Sequence, residues 1–244
     1  QITKVLMKKK SATQKTYLAT IIVVLKALEA KQNLIEYYTE KMNKLIEEHE
    51  KANFSQVKSE KQEKNWIPLP DLKKEVDRQG REITRMRLWN KNKLTPSEFD
   101  QIQKYVVGAL YIISDENPPI RADYSDMKKI NKSDYDKLND KDLKNNYLVT
   151  VSKSKKYFHL GDFKTQGKYG KKLNTVLNKW NEINKSEYLL INNRKQPMSA
   201  NSLSKFINRI FIKTGKNINI NLMRHIYVTT KFPPQNDEKA IIAN

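Results

Sequence analysis

Thr95-Pro96-Ser97-Glu98 constrains the fold more than any other stretch of this chain. It combines a threonine cap, a proline at the first helical position and a glutamate three residues after the cap, so the start of a helix is set locally. Behind it, Phe99, Ile102, Val106, Leu110 and Ile113 recur at helical spacing and predict a buried helix, which Asn117-Pro118-Pro119 stops. A buried helix needs partners on several sides, and the flanking sequence offers them. Leu72, Val76, Ile83 and Met86 predict a helix over 70–87. Leu173, Val176, Leu177, Trp180 and Ile183 predict one over 172–184, and a third spans 200–214, with Ser199 as its cap and Gly215 as its stop. Convincing strand patterning is confined to Tyr147–Ser152 and Lys156–His159, joined by a Ser-Lys-Ser-Lys turn.

The N-terminal part reads differently. Residues 1–10 form a basic arm, and Ser11-Ala12-Thr13-Gln14 matches a capping box. Tyr17, Ile21, Val24, Leu25 and Leu28, then Leu34, Tyr38, Met42 and Leu45, predict a helical hairpin or an interrupted pair of helices over 11–50. Residues 51–65 are charged and almost free of apolar side chains, which places a domain boundary there. The expected architecture is mainly α (α+β): a helical domain over 1–64 and a mixed domain over 65–244 with a small antiparallel sheet. No internal repeat and no long low-complexity tract interrupts it.

Charge narrows the function. The chain carries 47 Lys+Arg against 27 Asp+Glu, a formal net charge of +20 on 244 residues. Part of the excess matches the Lys, Asn and Ile bias of an AT-rich genome. The remainder predicts salt-dependent binding to a polyanion, and nucleic acid is the obvious one. With no cysteine there are no disulfides, thiol nucleophiles or Cys-based zinc sites. His49, His159 and His225 share no metal-ligand spacing, so neither a metal nor another cofactor is expected. No apolar run approaches the ~20 residues that cross a bilayer. Gln1 opens no signal peptide, and its place where methionine would stand implies a trimmed N-terminus. An intracellular protein without a membrane partner is expected.

The sharpest chemical signal is Asn221-Leu222-Met223-Arg224-His225-Ile226-Tyr227. Leu222, Ile226 and Thr229 or Thr230 can line one helix face, with Arg224 and His225 beside it and able to reach into a cleft. A guanidinium is suited to bidentate phosphate recognition, and an imidazole can hold or move a proton near neutral pH.

Taken in order along the chain, these residues resemble the tyrosine recombinase (phage-integrase) family. Pro118-Pro119-Ile120-Arg121-Ala122-Asp123-Tyr124 resembles its first-arginine site, at the start of a helix. Phe163-Lys164-Thr165, after the predicted hairpin, resembles its lysine site, for which Lys168, Lys171 and Lys172 compete. Asn221-x-x-Arg224-His225 resembles its second-arginine box, preceded as in the family by an amphipathic helix bearing Leu203, Phe206 and Ile210. The resemblance leans toward integrases of large DNA viruses and related mobile elements. It implies a DNA-clamping helical domain before a catalytic domain, and strand transfer through a 3′-phosphotyrosyl bond without a metal. Under it, Arg121 and Arg224 neutralise the scissile phosphate and Lys164 protonates the leaving oxygen. His225 bonds the phosphate or positions Arg224, and Asn221 donates through its amide. Double-stranded DNA and further protomers, four in synapsis, are the implied partners; the location is wherever the target DNA lies, host nucleus or cytoplasm for a virus.

Three departures qualify the match. Asn221 stands where the family has histidine and cannot shuttle a proton. The segment after Lys164 is short for a third strand. The chain reaches Asn244 without the late His/Trp and the nucleophilic tyrosine, so it reads as C-terminally incomplete and inactive alone. Plainer readings stand beside the functional one: Arg121 as a helix-start surface arginine, Lys164 as one lysine of many, His225 as a structural histidine, Tyr227 as core. Asp123 and Asp126 suggest a metal nuclease less than they suggest helix-surface acids, and Asp237-Glu238 suits a helix start. Arg81, Arg85 and Arg87 suit a DNA-backbone face or a solvated helix. The rival functions are a type IB topoisomerase, a DNA-binding protein that keeps the fold without the chemistry, and an RNA-binding structural protein.

Overall fold

The structure, a computed structural model, describes residues 6, 8–9, 11–54, 58–113, 119–161, 165–167 and 170–233. The chain divides into two compact units that part between Lys58 and Ser59. It is mainly helical, with one small sheet.

The N-terminal unit is a helical hairpin of α1 (Ser11–Ala27) and α2 (Gln32–Phe54). The turn between them carries Glu29 at φ 49°, the left-handed conformation that reverses a chain. The buried seam is not the predicted one. Leu18 and Ile22, spaced i, i+4, are buried with Ile35, whereas Tyr17, Val24 and Leu28 are exposed. Ser11 lies within the helix rather than capping it, and the Gln14 amide donates to the Lys9 carbonyl at 2.7 Å.

The second unit begins with a short helix, α3 (Glu60–Lys64), capped reciprocally by Ser59 and Gln62. Helix α4 (Leu69–Arg85) presents Leu69, Leu72, Val76 and Ile83 to the core. Helix α5 (Pro96–Gly108) starts at the predicted capping box: Thr95 Oγ1 accepts from Glu98 N, and the Glu98 carboxylate takes the Thr95 N–H. Its last turn widens into a π-helical turn, Ala109–Ile113, buried at its first four positions. Gly108 is needed there, because an added Cβ would lie 2.9 Å from the Val76 side chain.

The sheet exceeds the expected hairpin. Strands β1 (Lys128–Asn131), β2 (Tyr147–Thr150), β3 (Lys156–Leu160) and β4 (Thr165–Gly167) lie in that order. β1 and β2 are parallel and the other pairs antiparallel, so the sheet is mixed. Between β1 and β2 runs a four-residue helix, α6 (Lys132–Tyr135). The segment after Lys164, read as too short for a strand, does form β4, with Leu160 paired to Thr165 and Phe158 to Gly167. Helices α7 (Lys171–Ile183), α8 (Ala200–Ile210) and α9 (Ile220–Lys231) complete the unit. After α8 a tighter turn at Ile212–Thr214 ends on Gly215 at φ 69°, which only glycine adopts cheaply. Trp180, fully buried, donates its indole N–H to the Leu189 carbonyl at 2.8 Å.

Candidate functional site

Helix α9 carries the Arg-His box into the second unit. Asn219 caps it, accepting from Leu222 N at 2.9 Å, so Asn221 falls in the first turn and Arg224 one turn later on the same side. Leu222, Met223, Ile226 and Tyr227 are buried and anchor the helix; Arg224 and His225 are half-buried beside that seam. Tyr227 is therefore a core residue.

Arg224 reaches across 105 residues of sequence. Its Nε donates to the Pro119 carbonyl at 3.1 Å, while its two Nη groups take no partner among the described residues. Two residues beyond Pro119, Arg121 is exposed. The predicted helix start at Arg121 is absent: residues 121–126 run through bends and turns. A side chain from the core holds this path. The Tyr111 hydroxyl, on the π-helical turn, donates to the Arg121 carbonyl at 2.7 Å, and Tyr111 stacks edge-on with Tyr124 at 5.2 Å. Burial pushes the Tyr111 phenol well above its usual range, with Tyr124 and Asp123 adding to the shift and the Arg224 charge opposing it. Tyr111 is thus a neutral donor that fixes the segment bearing Arg121 to the core.

His225 meets a residue the sequence did not single out. Its ring and that of Trp66 lie edge to face, centroids 5.5 Å apart. The strand of chain just before Trp66 is fastened to the approach of α9: Asn217 N donates to Asn65 Oδ1 at 2.7 Å, and Lys216 Nζ to the Lys64 carbonyl at 2.6 Å. Between these segments lies a cavity of about 230 Å³, lined by Lys61, Gln62, Asn65, Asn217, Asn219 and Asn221.

The remaining candidates divide. Lys164 and Lys168 lie outside the described residues, as do Asp237 and Glu238. Of the competitors, Lys172 is committed to Asp77 at 2.8 Å and Lys171 is exposed at the start of α7. Arg81, Arg85 and Arg87 are exposed and form no ion pair among the described residues. Asp123 and Asp126 join no metal-binding group, and none exists among the described residues. His159 is structural: Nε2 faces the Leu143 carbonyl at 2.8 Å and must donate, so Nδ1 accepts from the Tyr135 hydroxyl at 3.0 Å.

Two lysines, Lys156 buried and Lys129 half-buried, carry no signal in the sequence. Lys156 holds Lys153 O and Asn174 Oδ1, each at 3.1 Å, together with Asn178 Oδ1, fixing the β2–β3 turn to α7. Lys129 donates to the Asn184 carbonyl at 2.6 Å, and burial, aided by Lys185, pushes its pKa down to about 8. Neither contacts the arginine segments through any described hydrogen bond. No described helix is long and apolar enough to cross a membrane.

No family model matches this chain, and neither a curated protein nor a solved structure does.

Proposed function

We propose that this protein is the core of a tyrosine-recombinase-like DNA strand transferase. The observation that carries the reading is the Arg224–Pro119 hydrogen bond, which draws the second-arginine helix onto the loop bearing Arg121. Two guanidiniums on adjoining segments, one held by Nε with its Nη fork left over, suit the non-bridging oxygens of one phosphodiester. In such a site the arginines offset the charge that builds on the phosphate, and no metal is required. Lys164 would protonate the leaving oxygen; Leu160 and Thr165, which flank its segment, are paired across β3 and β4. Asn221 would donate a hydrogen bond, and His225, packed on Trp66, would steady Arg224 or bond the phosphate.

The nucleophile is the open role. Tyr111 and Tyr227 are buried, and Tyr111's raised pKa disfavours the phenolate, so neither is assigned the attack. The +20 charge supports double-stranded DNA as substrate, and strand exchange would need several protomers on it. The discriminating experiment incubates the full-length gene product with duplex DNA in the presence of a chelator and looks for a denaturation-resistant protein–DNA adduct. An adduct lost in Arg121→Ala and Arg224→Ala supports strand transfer. Free cleaved ends that require a divalent cation would exclude it. DNA binding without cleavage would instead favour a binding protein, the alternative to which Asn221 already points.

A further inference from the structure

The cavity beside Asn221 has a one-sided chemistry. Gln62 Oε1 accepts from Ser59 N at 2.8 Å, Asn65 Oδ1 from Asn217 N at 2.7 Å, and Asn219 Oδ1 from Leu222 N at 2.9 Å. A backbone N–H can only donate, so in each case the amide oxygen is fixed as the atom facing the protein. Asn217 Oδ1 is taken as well, by Asn208 Nδ2 at 2.5 Å. The Asn65 NH₂ is spent on the Lys61 carbonyl at 2.8 Å. The NH₂ groups of Gln62 and Asn219, and the Lys61 ammonium, are left over with no partner among the described residues. Glu60 and Glu63, the carboxylates of α3, are not among the lining residues. Ser59, Leu222 and the Asn221 amide also line it, so the cavity offers chiefly donors and one positive charge beside a small apolar wall. Its roughly 230 Å³ is ample, since ~10–15 Å³ admits a water. Such a lining selects an anion rich in acceptor oxygens.

We propose that this cavity is a phosphate subsite that holds a DNA backbone phosphate neighbouring the one bound by Arg121 and Arg224. The assignment rests on the reading of DNA as substrate. Asn221 connects the two places, lining the cavity one helical turn before Arg224. Bound there, a phosphate would set the register of the strand before chemistry begins, which is how backbone contacts position a protein on DNA. It also gives Asn221 a use that needs no proton transfer.

The test is anisotropy of a short labelled duplex titrated with the whole chain at several salt concentrations. Asn219→Ser and Asn219→Asp both keep a capping oxygen for Leu222 N, so a merely structural Asn219 predicts wild-type DNA affinity and an equal or higher Tm. The subsite predicts weaker binding for Asn219→Ser and about tenfold or greater loss for Asn219→Asp, with Tm maintained. Lys61→Gln, an exposed change, should flatten the salt dependence by about 0.9 in log–log slope, one phosphate contact. Wild-type affinity and slope in all three variants, with Arg224→Ala still impaired, would overturn the subsite and leave the strand-transferase reading standing. Absence of duplex binding by the unmodified chain would remove both. Inorganic phosphate raising the Tm of wild type but not of Asn219→Asp, with DNA binding unchanged, would overturn the DNA assignment in favour of a free phosphate ligand.

Discussion

Arg224 donates through Nε to the main-chain carbonyl of Pro119 at 3.1 Å, and this contact orients a guanidinium that helix geometry alone would leave free to swing. With Nε engaged, the end-on edge formed by the two Nη groups remains as a planar fork. The same carbonyl belongs to the segment whose next charged residue is Arg121, itself held at its main-chain oxygen by Tyr111. The arrangement has consequences for chemistry, stability and pH response.

The fork makes a lysine a poor substitute. Arg224→Lys keeps the charge but cannot both bond Pro119 and grip two phosphate oxygens. Under the proposed strand-transferase function, cleavage by the full-length gene product should fall about 10²–10³-fold, with little change in Tm because the side chain is half exposed. Retention of cleavage in that variant would mean Arg224 acts as a point charge only.

Gly161 follows directly on β3, and it is closely covered. A Cβ there would sit 2.0 Å from the Lys144 carbonyl oxygen, main chain that cannot rotate aside. Gly161→Ala should destabilise the protein by about 1–3 kcal/mol, the usual cost of overpacking, or more if the strand end must shift. Chemical denaturation measures it, and an unaltered midpoint would show that the strand end gives freely.

Lys129 predicts a pH dependence with a definite sign. Its pKa is about 8 in the folded chain, against an ordinary lysine value near ~10.4 in the unfolded one. Between those values the unfolded state binds more protons, so stability rises with pH across that window. The stabilisation is complete above the unfolded value and lost as pH falls through about 8. Buried tyrosines with raised pKa values, Tyr111 and Tyr124, act oppositely near and above ~10, so the clean range is about pH 7.5–9.5. Urea midpoints should climb more steeply with pH in wild type than in Lys129→Met; parallel curves would show that Lys129 stays charged.

Trp66 and His225 should be coupled energetically. An edge-to-face aromatic pair contributes roughly 0.5–1.5 kcal/mol beyond its buried area, and a double-mutant cycle of Trp66→Ala with His225→Ala reads that directly. Additive losses would mean the rings merely adjoin.

What the sequence revealed follows the range of the interactions. The start of α5 was legible because Thr95, Pro96 and Glu98 satisfy that terminus within one turn. Gly215 was legible for the same reason. Strand β1 was not: Lys128-Lys129-Ile130-Asn131 has no alternation, and it is a strand through its parallel pairing with Tyr147–Thr150. The seam of α1 was misjudged because Tyr17, Ile21 and Val24 fit a helical face as well as Leu18 and Ile22 do, and only the packed hairpin chooses. At Arg121, Pro118-Pro119 reads like the start of a helix, yet the Tyr111 hydroxyl takes the carbonyl and the chain bends on. The order Arg121, Arg224, His225 was visible as residue types; Trp66, Pro119 and Tyr111, which hold them, act across long separations that no local pattern records.

The most direct measurement is a double-mutant cycle of Arg121→Ala and Arg224→Ala in duplex-DNA affinity at fixed salt. If both guanidiniums hold one phosphate, the double variant should bind little worse than the weaker single one, with a coupling energy within the roughly 0.5–3 kcal/mol of residues sharing a partner. Strictly additive losses would place the two arginines on separate phosphates and contradict the shared centre.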